Sequence, residues 1–289
     1  MIGNFALIIG AMRCGTTSLF TYLAQHPEVA PSTPKEPDFF ANDGNWGKGF
    51  EWYQTLWDWD PHKHTIALEA STNYTKIPGL PNAAERIATI KADFRFIYVL
   101  RDPIERIESQ YAHAVMHGKA AIPEGGEGEL RTHWIAVSKY AMQIAEYYGR
   151  FPSDRILLLN FDDLKKEPDA VVKRVCRFVD IDPSSSLAGV GTVHNPSKRD
   201  HPLYVALTRS SLACSVAKLL PLGFKQGLRN RLGRRKLNVD IRLSEAQRAF
   251  VLHELEEDMK RLHEEYGFDV SRWCRPQAGA EDPQGTRTR

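Results

Sequence analysis

The sequence predicts an α/β fold in which a parallel sheet is flanked by helices, a three-layer sandwich. The first observation is a set of short, largely apolar runs at residues 5–9, 94–100 and 156–160. Such runs are typical of strands buried on both faces of a parallel sheet. The second is that helical patterns alternate with these runs along the chain, which is the order found in α/β proteins. The 289 residues, of which 42% are hydrophobic, suffice for one large domain.

Each predicted helix has an apolar stripe or a start or stop signal. Helices are predicted at residues 17–25, 103–117, 134–148 and 163–179, with a long last helix between Ser244 and Gly267. Pro27 stops the first, and Pro103 suits the first turn of the second because its missing N–H would be unpaired there. Ser244 and Gln247 have the spacing of a capping box. Residues 122–129 contain three glycines and are predicted to form a loop.

Composition limits the classes of function. One domain is predicted over residues 1–275, followed by a polar tail at 276–289 that is predicted to be disordered. The 38 Lys and Arg against 36 Asp and Glu give no protein-wide basic field, so nucleic acid is not an expected partner.

The apolar run at residues 5–12 is far shorter than the roughly 20 residues of a membrane span. Four scattered cysteines without metal-ligand spacing favour reduced thiols and a cytoplasmic location, without disulfides or structural zinc.

One segment, residues 201–239, is strongly charged. It contains no acidic residue, and its lysines and arginines are interleaved with leucines. Three interpretations remain open: a lid that attracts an anionic acceptor, a helix in peripheral contact with a membrane surface, or a solvated helical face.

A glycine-rich loop at residues 10–17 separates the first predicted strand from the first helix. Backbone N–H groups and the helix dipole converge on an anion at such a junction, so a P-loop-type phosphate site is predicted. The lysine that reaches the β- and γ-phosphates of a nucleoside triphosphate is replaced by Thr16, and the cation comes earlier, at Arg13. The loop therefore favours phosphate binding without ATP hydrolysis, and no motif calls for a metal. The alternative to a phosphate site is a glycine turn whose only role is to pack the helix onto the strand.

The order and spacing of several segments resemble the sulfotransferases that use 3'-phosphoadenosine 5'-phosphosulfate. The resemblance is carried by residues 10–18, 35–40, 49–53, 94–111, 138–140 and 156–164 and by the final helix before Trp273. It covers nearly the whole chain and is closest to the glycosaminoglycan and bacterial branches. It implies that this compound is the donor and that 3',5'-adenosine bisphosphate is the product.

The resemblance also implies which residues bind the donor. Those implied for the 5'-phosphate are Arg13, Cys14, Gly15, Thr16, Thr17 and Ser18. Arg101 and Ser109 match the positions that bind the 3'-phosphate, with a salt bridge from Arg101 to Glu105 as the alternative. Tyr140 matches a nucleotide-contacting aromatic, although a core tyrosine fits the pattern equally well. Lys198 and Arg199 occupy the place of the family's late basic loop.

Glu36 is the predicted general base, because it aligns with the glutamate of the glycosaminoglycan branch. An exposed loop carboxylate beside Lys35 is the alternative. Arg13 is predicted to stabilise the leaving phosphate by its charge, since a guanidinium does not readily give up a proton. Two positions depart from those relatives. Asp38 stands where they have a histidine, and Ala70 stands where they have a lysine.

The sequence therefore predicts an enzyme that moves a sulfuryl group to a hydroxyl or amine of a carbohydrate or small metabolite by in-line transfer. Two alternatives belong to other classes. One is a P-loop kinase of a small molecule, which Thr16 disfavours. The other is a noncatalytic nucleotide-binding protein that docks a partner through residues 201–239.

Overall fold

The computed structural model of the protein describes residues 1–117, 120, 130–185, 187, 190, 198–199, 235–236 and 242–273. In this part of the chain the core is a five-stranded parallel sheet with the strand order β2-β3-β1-β4-β5. Its strands are β1 (Asn4–Gly10), β2 (Val29–Pro31), β3 (Ile66–Ala70), β4 (Asp93–Leu100) and β5 (Ile156–Asn160).

The central strand, β1, is buried on both faces from Phe5 onward. It pairs with β3 on one side, where Ile8 lies opposite Ala70, and with β4 on the other, where Ile8 lies opposite Ile97. This double burial explains the continuous apolar run, because neither face of the strand meets water. Parallel pairing also places the carboxyl ends of all five strands at one end of the sheet, hereafter the carboxyl end.

Helices cover the sheet. They are α1 (Thr16–Leu23), α2 (Asp43–Trp46), α3 (Gly49–Gln54), α4 (Ala83–Ala88), α5 (Pro103–Met116), α6 (Thr132–Ser138), α7 (Tyr140–Tyr148), α8 (Phe161–Lys166), α9 (Pro168–Phe178) and α10 (Glu245–Glu264). Short 3-10 turns lie at Thr72–Thr75 and Ser153–Arg155. The predicted parallel α/β fold is confirmed, together with the three predicted strands.

The helix predicted at residues 134–148 is two helices, so that prediction was wrong in its middle. The helices α6 and α7 meet at Lys139, whose ψ of 75° is not helical. The Asp258 carboxylate on α10 accepts hydrogen bonds from the N–H groups of Ala141, at 2.9 Å, and Met142, at 2.8 Å. These groups belong to the first turn of α7, so a side chain distant in sequence caps a new helix there.

The helix predicted at residues 163–179 is also divided. It forms α8 and α9, which are separated by Glu167 with φ −132° and ψ 57°. Glu167 precedes Pro168, and the proline ring disfavours helical backbone in the residue before it. The other helix signals are confirmed: Pro103 opens α5, and both hydrogen bonds of the predicted capping box join Ser244 and Gln247 at the start of α10.

Several predicted segments lie outside the described residues. They are the loop at 122–129, the tail at 276–289 and the basic segment at 201–239 apart from its residues 235–236. The backbone of Lys198–Arg199 pairs antiparallel with that of Arg235–Lys236. In the described part of the chain no helix is long and apolar enough to cross a membrane. Cys14 and Cys176 are buried free thiols.

A buried carboxylate lies inside the core, on β3. Glu69 is fully buried, and the hydroxyl of Tyr53 donates a hydrogen bond to Glu69 Oε2. The Tyr53 ring stacks on Phe39 with centroids 4.4 Å apart and meets Trp57 edge-on at 4.7 Å. Burial raises the pKa of Glu69 to about 7, because the charged form loses its hydration in this aromatic surround.

The stability of the protein should therefore depend on the protonation of Glu69. Its pKa rises from 4.5 to about 7 on folding, so the native state keeps the proton over a pH range in which the unfolded chain has lost it. The free energy of unfolding then falls as pH rises from about 4.5 through about 7. Glu69→Gln stays neutral and keeps an oxygen for Tyr53, so it should lose less stability than the wild type between these pH values.

Urea unfolding at about pH 5.5 and about pH 8.5 measures this difference. Glu51→Gln, on the exposed side of α3, is the matched control and should follow the wild type. An identical loss of stability in wild type and Glu69→Gln would contradict the raised pKa.

Candidate functional site

The loop between β1 and α1 is built from residues with unusual backbone angles. Gly15, at the N-cap of α1, has φ 80°, and Arg13 has φ 73°. A Cβ atom on Gly15 would lie 2.6 Å from the Phe161 ring, so both the backbone angle and the packing require glycine. No side chain caps the N-terminus of α1. Its first N–H groups, from Thr16 onward, are therefore available to an anion.

Two distant segments meet at this loop. The Arg13 side chain donates from Nε to Ser109 Oγ at 3.1 Å, although the residues are 96 positions apart. Arg101, just after β4, donates from Nη1 to the carbonyl oxygen of Arg13 at 3.4 Å. The structure thus brings together three of the residues predicted to bind the donor, because β1 and β4 are neighbours and both end here.

Positive charge accumulates around the loop. Arg106 on α5 is fully buried and donates to Ser138 Oγ at 2.6 Å and to the Trp134 carbonyl oxygen. No described ion pair includes Arg13 or Arg106. Burial and then the neighbouring charge of Arg101 lower the pKa of Arg13. An anion is the group that would neutralise this excess charge.

The buried thiol beside these arginines does not offset their charge. Burial raises the pKa of Cys14 to about 11, although Arg106 and Arg101 oppose the rise. The thiol is therefore neutral near pH 7.

Sequence reasoning missed Arg106. The one sequence feature that could have identified it is its position between Ile104 and Ile107, where a charged residue lies on the apolar side of the α5 pattern.

The Arg101 side chain has protein partners of its own. Its Nη2 pairs with Glu105 Oε2 at 2.8 Å, and its guanidinium lies 5.0 Å from the centre of the Phe161 ring. The Glu105 carboxylate is 46% exposed, so this ion pair is well solvated and weak. A dianion that accepts hydrogen bonds from Arg101 would compete with it effectively.

Tyr140 lies beneath the loop, within the core. Its ring is fully buried, and its hydroxyl donates to the Arg101 carbonyl oxygen at 2.8 Å. In this position it supports the main chain of Arg101, as a core tyrosine would, and the described packing leaves no face of the ring exposed. The side chains of Lys198 and Arg199 lie outside the description, so their predicted role stays a prediction.

The predicted base lies on the loop after β2. Glu36 is 43% exposed, and its Oε1 accepts from Lys35 Nζ at 2.6 Å. The Lys35 carbonyl oxygen accepts from the N–H of Ala70 at the end of β3, and its ammonium lies 5.9 Å from the centre of the Phe20 ring on α1. The loop therefore lies at the carboxyl end of the sheet, beside the loop that follows β1.

Asp38, two residues further on, is held more tightly than Glu36. Its backbone has φ 51°, and its N–H donates to Ser71 Oγ at 3.1 Å. Asn73 Nδ2 donates to Asp38 Oδ2 at 2.8 Å, while Lys76 Nζ donates to Asn73 Oδ1 at 2.5 Å. The second oxygen, Asp38 Oδ1, is covered and has no hydrogen-bond partner. Burial and then the charge of Glu36 raise the pKa of Asp38.

The described residues contain no cluster of three or more His, Cys, Asp or Glu side chains placed to hold a metal ion. Asp102 follows β4, where a metal-binding acid occurs in many nucleotide-binding proteins. Its Oδ1 accepts from the N–H groups of Ile104, at 2.8 Å, and Glu105, at 3.1 Å. The Asp102 carboxylate therefore caps α5.

The chain is similar to known proteins of one family. Residues 5–194 match the family model described as the sulfotransferase domain. Over 194 residues the chain is 28% identical to heparan sulfate glucosamine 3-O-sulfotransferase 5 of Homo sapiens, covering 63% of this chain and 54% of that protein. Over 199 residues it is 28% identical to bifunctional heparan sulfate N-deacetylase/N-sulfotransferase 4 of Mus musculus, covering 61% of this chain and 22% of that protein.

The chain thus spans about a fifth to a half of the length of these curated relatives. Among solved structures, a sulfotransferase from Alicyclobacillus acidocaldarius superposes with a TM-score of 0.65 at 20% identity. That match covers 95% of this chain and 100% of the other, and it shows a shared fold.

Proposed function

This chain belongs to the sulfotransferase family, and from that premise we propose that it transfers a sulfuryl group from 3'-phosphoadenosine 5'-phosphosulfate to a hydroxyl or amine of a carbohydrate or small metabolite. The observation that carries the proposal is the contact between Arg13 and Ser109 beside Arg101. It joins the loop suited to a 5'-phosphate to the two residues expected at a 3'-phosphate. A donor with a 5'-phosphate and a 3'-phosphate on its ribose fits this arrangement. ATP has no 3'-phosphate, so it would use only the loop suited to a 5'-phosphate.

The donor would be held by backbone and side chains together. The 5'-phosphosulfate would lie at the N-terminus of α1, against Gly15, Thr16, Thr17 and Ser18. The thiol of Cys14 is buried and its N–H donates to the Ala11 carbonyl oxygen at 3.2 Å, so Cys14 would shape the loop without a direct contact to the phosphate. The 3'-phosphate would accept hydrogen bonds from Arg101 and Ser109. Tyr140 would act as a positioning residue by fixing the main chain of Arg101.

The proposed transfer step needs a base for the acceptor and a cation for the leaving phosphate. Glu36 takes the proton of the acceptor hydroxyl or amine, and the acceptor atom forms a bond to sulfur while the bond from sulfur to the phosphate oxygen breaks. The products are the sulfated acceptor and 3',5'-adenosine bisphosphate. Negative charge grows on the departing phosphate oxygen. Arg13, which has no carboxylate partner in the described part of the chain, stabilises that charge while remaining protonated.

A carbohydrate acceptor is supported by the names of the relatives, which refer to heparan sulfate and its glucosamine. The chain covers only part of those proteins, so the acceptor class is proposed from this similarity.

Glu36→Gln tests the base. Glutamine keeps the size of the side chain and cannot accept the proton, so the turnover number should fall by about 10²- to 10⁴-fold. Affinity for 3',5'-adenosine bisphosphate should stay unchanged, since Glu36 lies on the acceptor side. Steady-state transfer assays and calorimetric binding give the two values. Glu85→Gln, exposed on α4, is the control. Unchanged turnover in Glu36→Gln would remove this residue from the mechanism.

Ser109→Ala tests the second phosphate site. The variant loses a hydroxyl for the 3'-phosphate, so its affinity for the bisphosphate should fall about tenfold. The affinity for ADP, which has no 3'-phosphate, should change much less. The ratio of the two dissociation constants is the readout, with Ser153→Ala in the exposed turn before β5 as the control. Equal losses for both nucleotides would place Ser109 away from a 3'-phosphate.

A further inference from the structure

The break between α6 and α7 contacts the segment that follows β4. Tyr140, the first residue of α7, is fully buried, and its hydroxyl donates to the Arg101 carbonyl oxygen at 2.8 Å. Ser138, the last residue of α6, accepts a hydrogen bond from Arg106 Nε at 2.6 Å. The residues on both sides of the break thus support the segment that is expected to bind the 3'-phosphate.

The first turn of α7 takes its cap from a distant part of the chain. Lys139, at the N-cap, makes no side-chain hydrogen bond to this turn, because an ammonium group has no acceptor. The two oxygens of Asp258 accept instead, from the N–H groups of Ala141 at 2.9 Å and Met142 at 2.8 Å. Asp258 is 8% exposed, so little water competes for these hydrogen bonds. Asp258 therefore determines where α7 begins.

The helix that carries Asp258, α10, is anchored to α5 at a second point. Glu108, next to Ser109 in sequence, is buried and accepts hydrogen bonds from the Leu243 N–H at 3.1 Å and from Arg248 Nη1 at 3.3 Å. Leu243 and Arg248 lie on either side of the start of α10. This helix is thus held against α5 as well as α7, and its position is fixed relative to both.

We propose that Asp258 is a positioning residue for the 3'-phosphate site: it caps α7, which holds Tyr140, and Tyr140 holds the main chain of Arg101. Without the cap, the first turn of α7 frays and Arg101 is correctly placed for only part of the time. The Kd of a nucleotide with a 3'-phosphate then rises by the inverse of that fraction. Asp258 lies outside residues 5–194, the part of the chain that matches the family model. This inference rests on the proposed function, since it concerns the donor site of the same reaction.

Asp258→Asn tests the cap. The amide group can accept only one of the two hydrogen bonds, because its NH2 faces the other N–H. The Kd for 3',5'-adenosine bisphosphate should rise about 3- to 10-fold, whereas the Kd for ADP, which has no 3'-phosphate, should rise by less than about twofold. Calorimetric titration of the folded protein with each nucleotide gives the ratio of the two constants. A loss of global stability alone does not change this ratio.

A double-mutant cycle tests whether Asp258 acts through Tyr140. Tyr140→Phe removes the hydroxyl that holds the Arg101 carbonyl oxygen, so it should raise the ratio by itself. The double variant Asp258→Asn/Tyr140→Phe should then have about the same ratio as Tyr140→Phe. Glu257→Gln, an exposed neighbour on α10 without a described partner, is the matched control and should bind both nucleotides as the wild type does.

The possible failures are distinguishable. If Asp258→Asn folds poorly, Asp258→Ser replaces it, because the smaller serine hydroxyl reaches at most one of the two N–H groups and should give the same rise in the ratio. An unchanged ratio in the folded Asp258 variant, or single effects that multiply in the double variant, would overturn the inference and leave the proposed function intact. A wild type that binds the bisphosphate no more tightly than ADP would remove the 3'-phosphate site, and the proposed function with it.

Discussion

Parallel pairing of β1 with β3 on one side and with β4 on the other is the constraint on which the site depends. It brings three loops, separated by tens of residues in sequence, to the carboxyl end of the sheet. The loop after β1 supplies Arg13, the segment after β4 supplies Arg101 and Ser109, and the loop after β2 lies across the end of β3 with Glu36. A shift of either pairing by one residue would exchange the side chains that pack on the two covered faces of the sheet, so the core fixes the site geometry.

The two sides of this site carry opposite charge. Around the loop after β1, Arg13 and Arg106 have no carboxylate partner among the described residues, and the buried thiol of Cys14 stays neutral. Beside β3, Glu36 and Asp38 provide negative charge that is only partly compensated. An anionic donor and an acceptor that must lose a proton suit these two sides respectively. In the proposed reaction, this charge separation would orient both substrates before any bond changes.

Sequence patterns predicted the parts of the fold that are set locally. The buried strands β1, β4 and β5 are continuous apolar runs, and the start of α10 is determined by a capping box within four residues. The break at Lys139 could not be predicted, because Asp258, more than a hundred residues away, makes it. Strand β3 was missed since Glu69 interrupts its apolar pattern, and only the aromatic surround of that carboxylate explains its burial.

Only part of the site could be predicted from the sequence. The glycine loop identified Arg13 as a candidate, and the family resemblance identified Arg101 and Ser109. The structure brings these three residues together. The surroundings of Asp38 could not be predicted. Lys76 donates to Asn73 and Asn73 donates to Asp38, and only tertiary packing brings these residues together.

The most direct test of the account is a thermal shift with three ligands at equal concentration: 3',5'-adenosine bisphosphate, ADP, and ATP with magnesium. A ligand that binds only the native state stabilises it by roughly 2.7 kcal/mol at a hundredfold excess over its Kd. The account predicts a clear rise in Tm with the bisphosphate and a much smaller one with the other two. Stabilisation by ATP with magnesium alone would contradict it and would favour phosphoryl transfer.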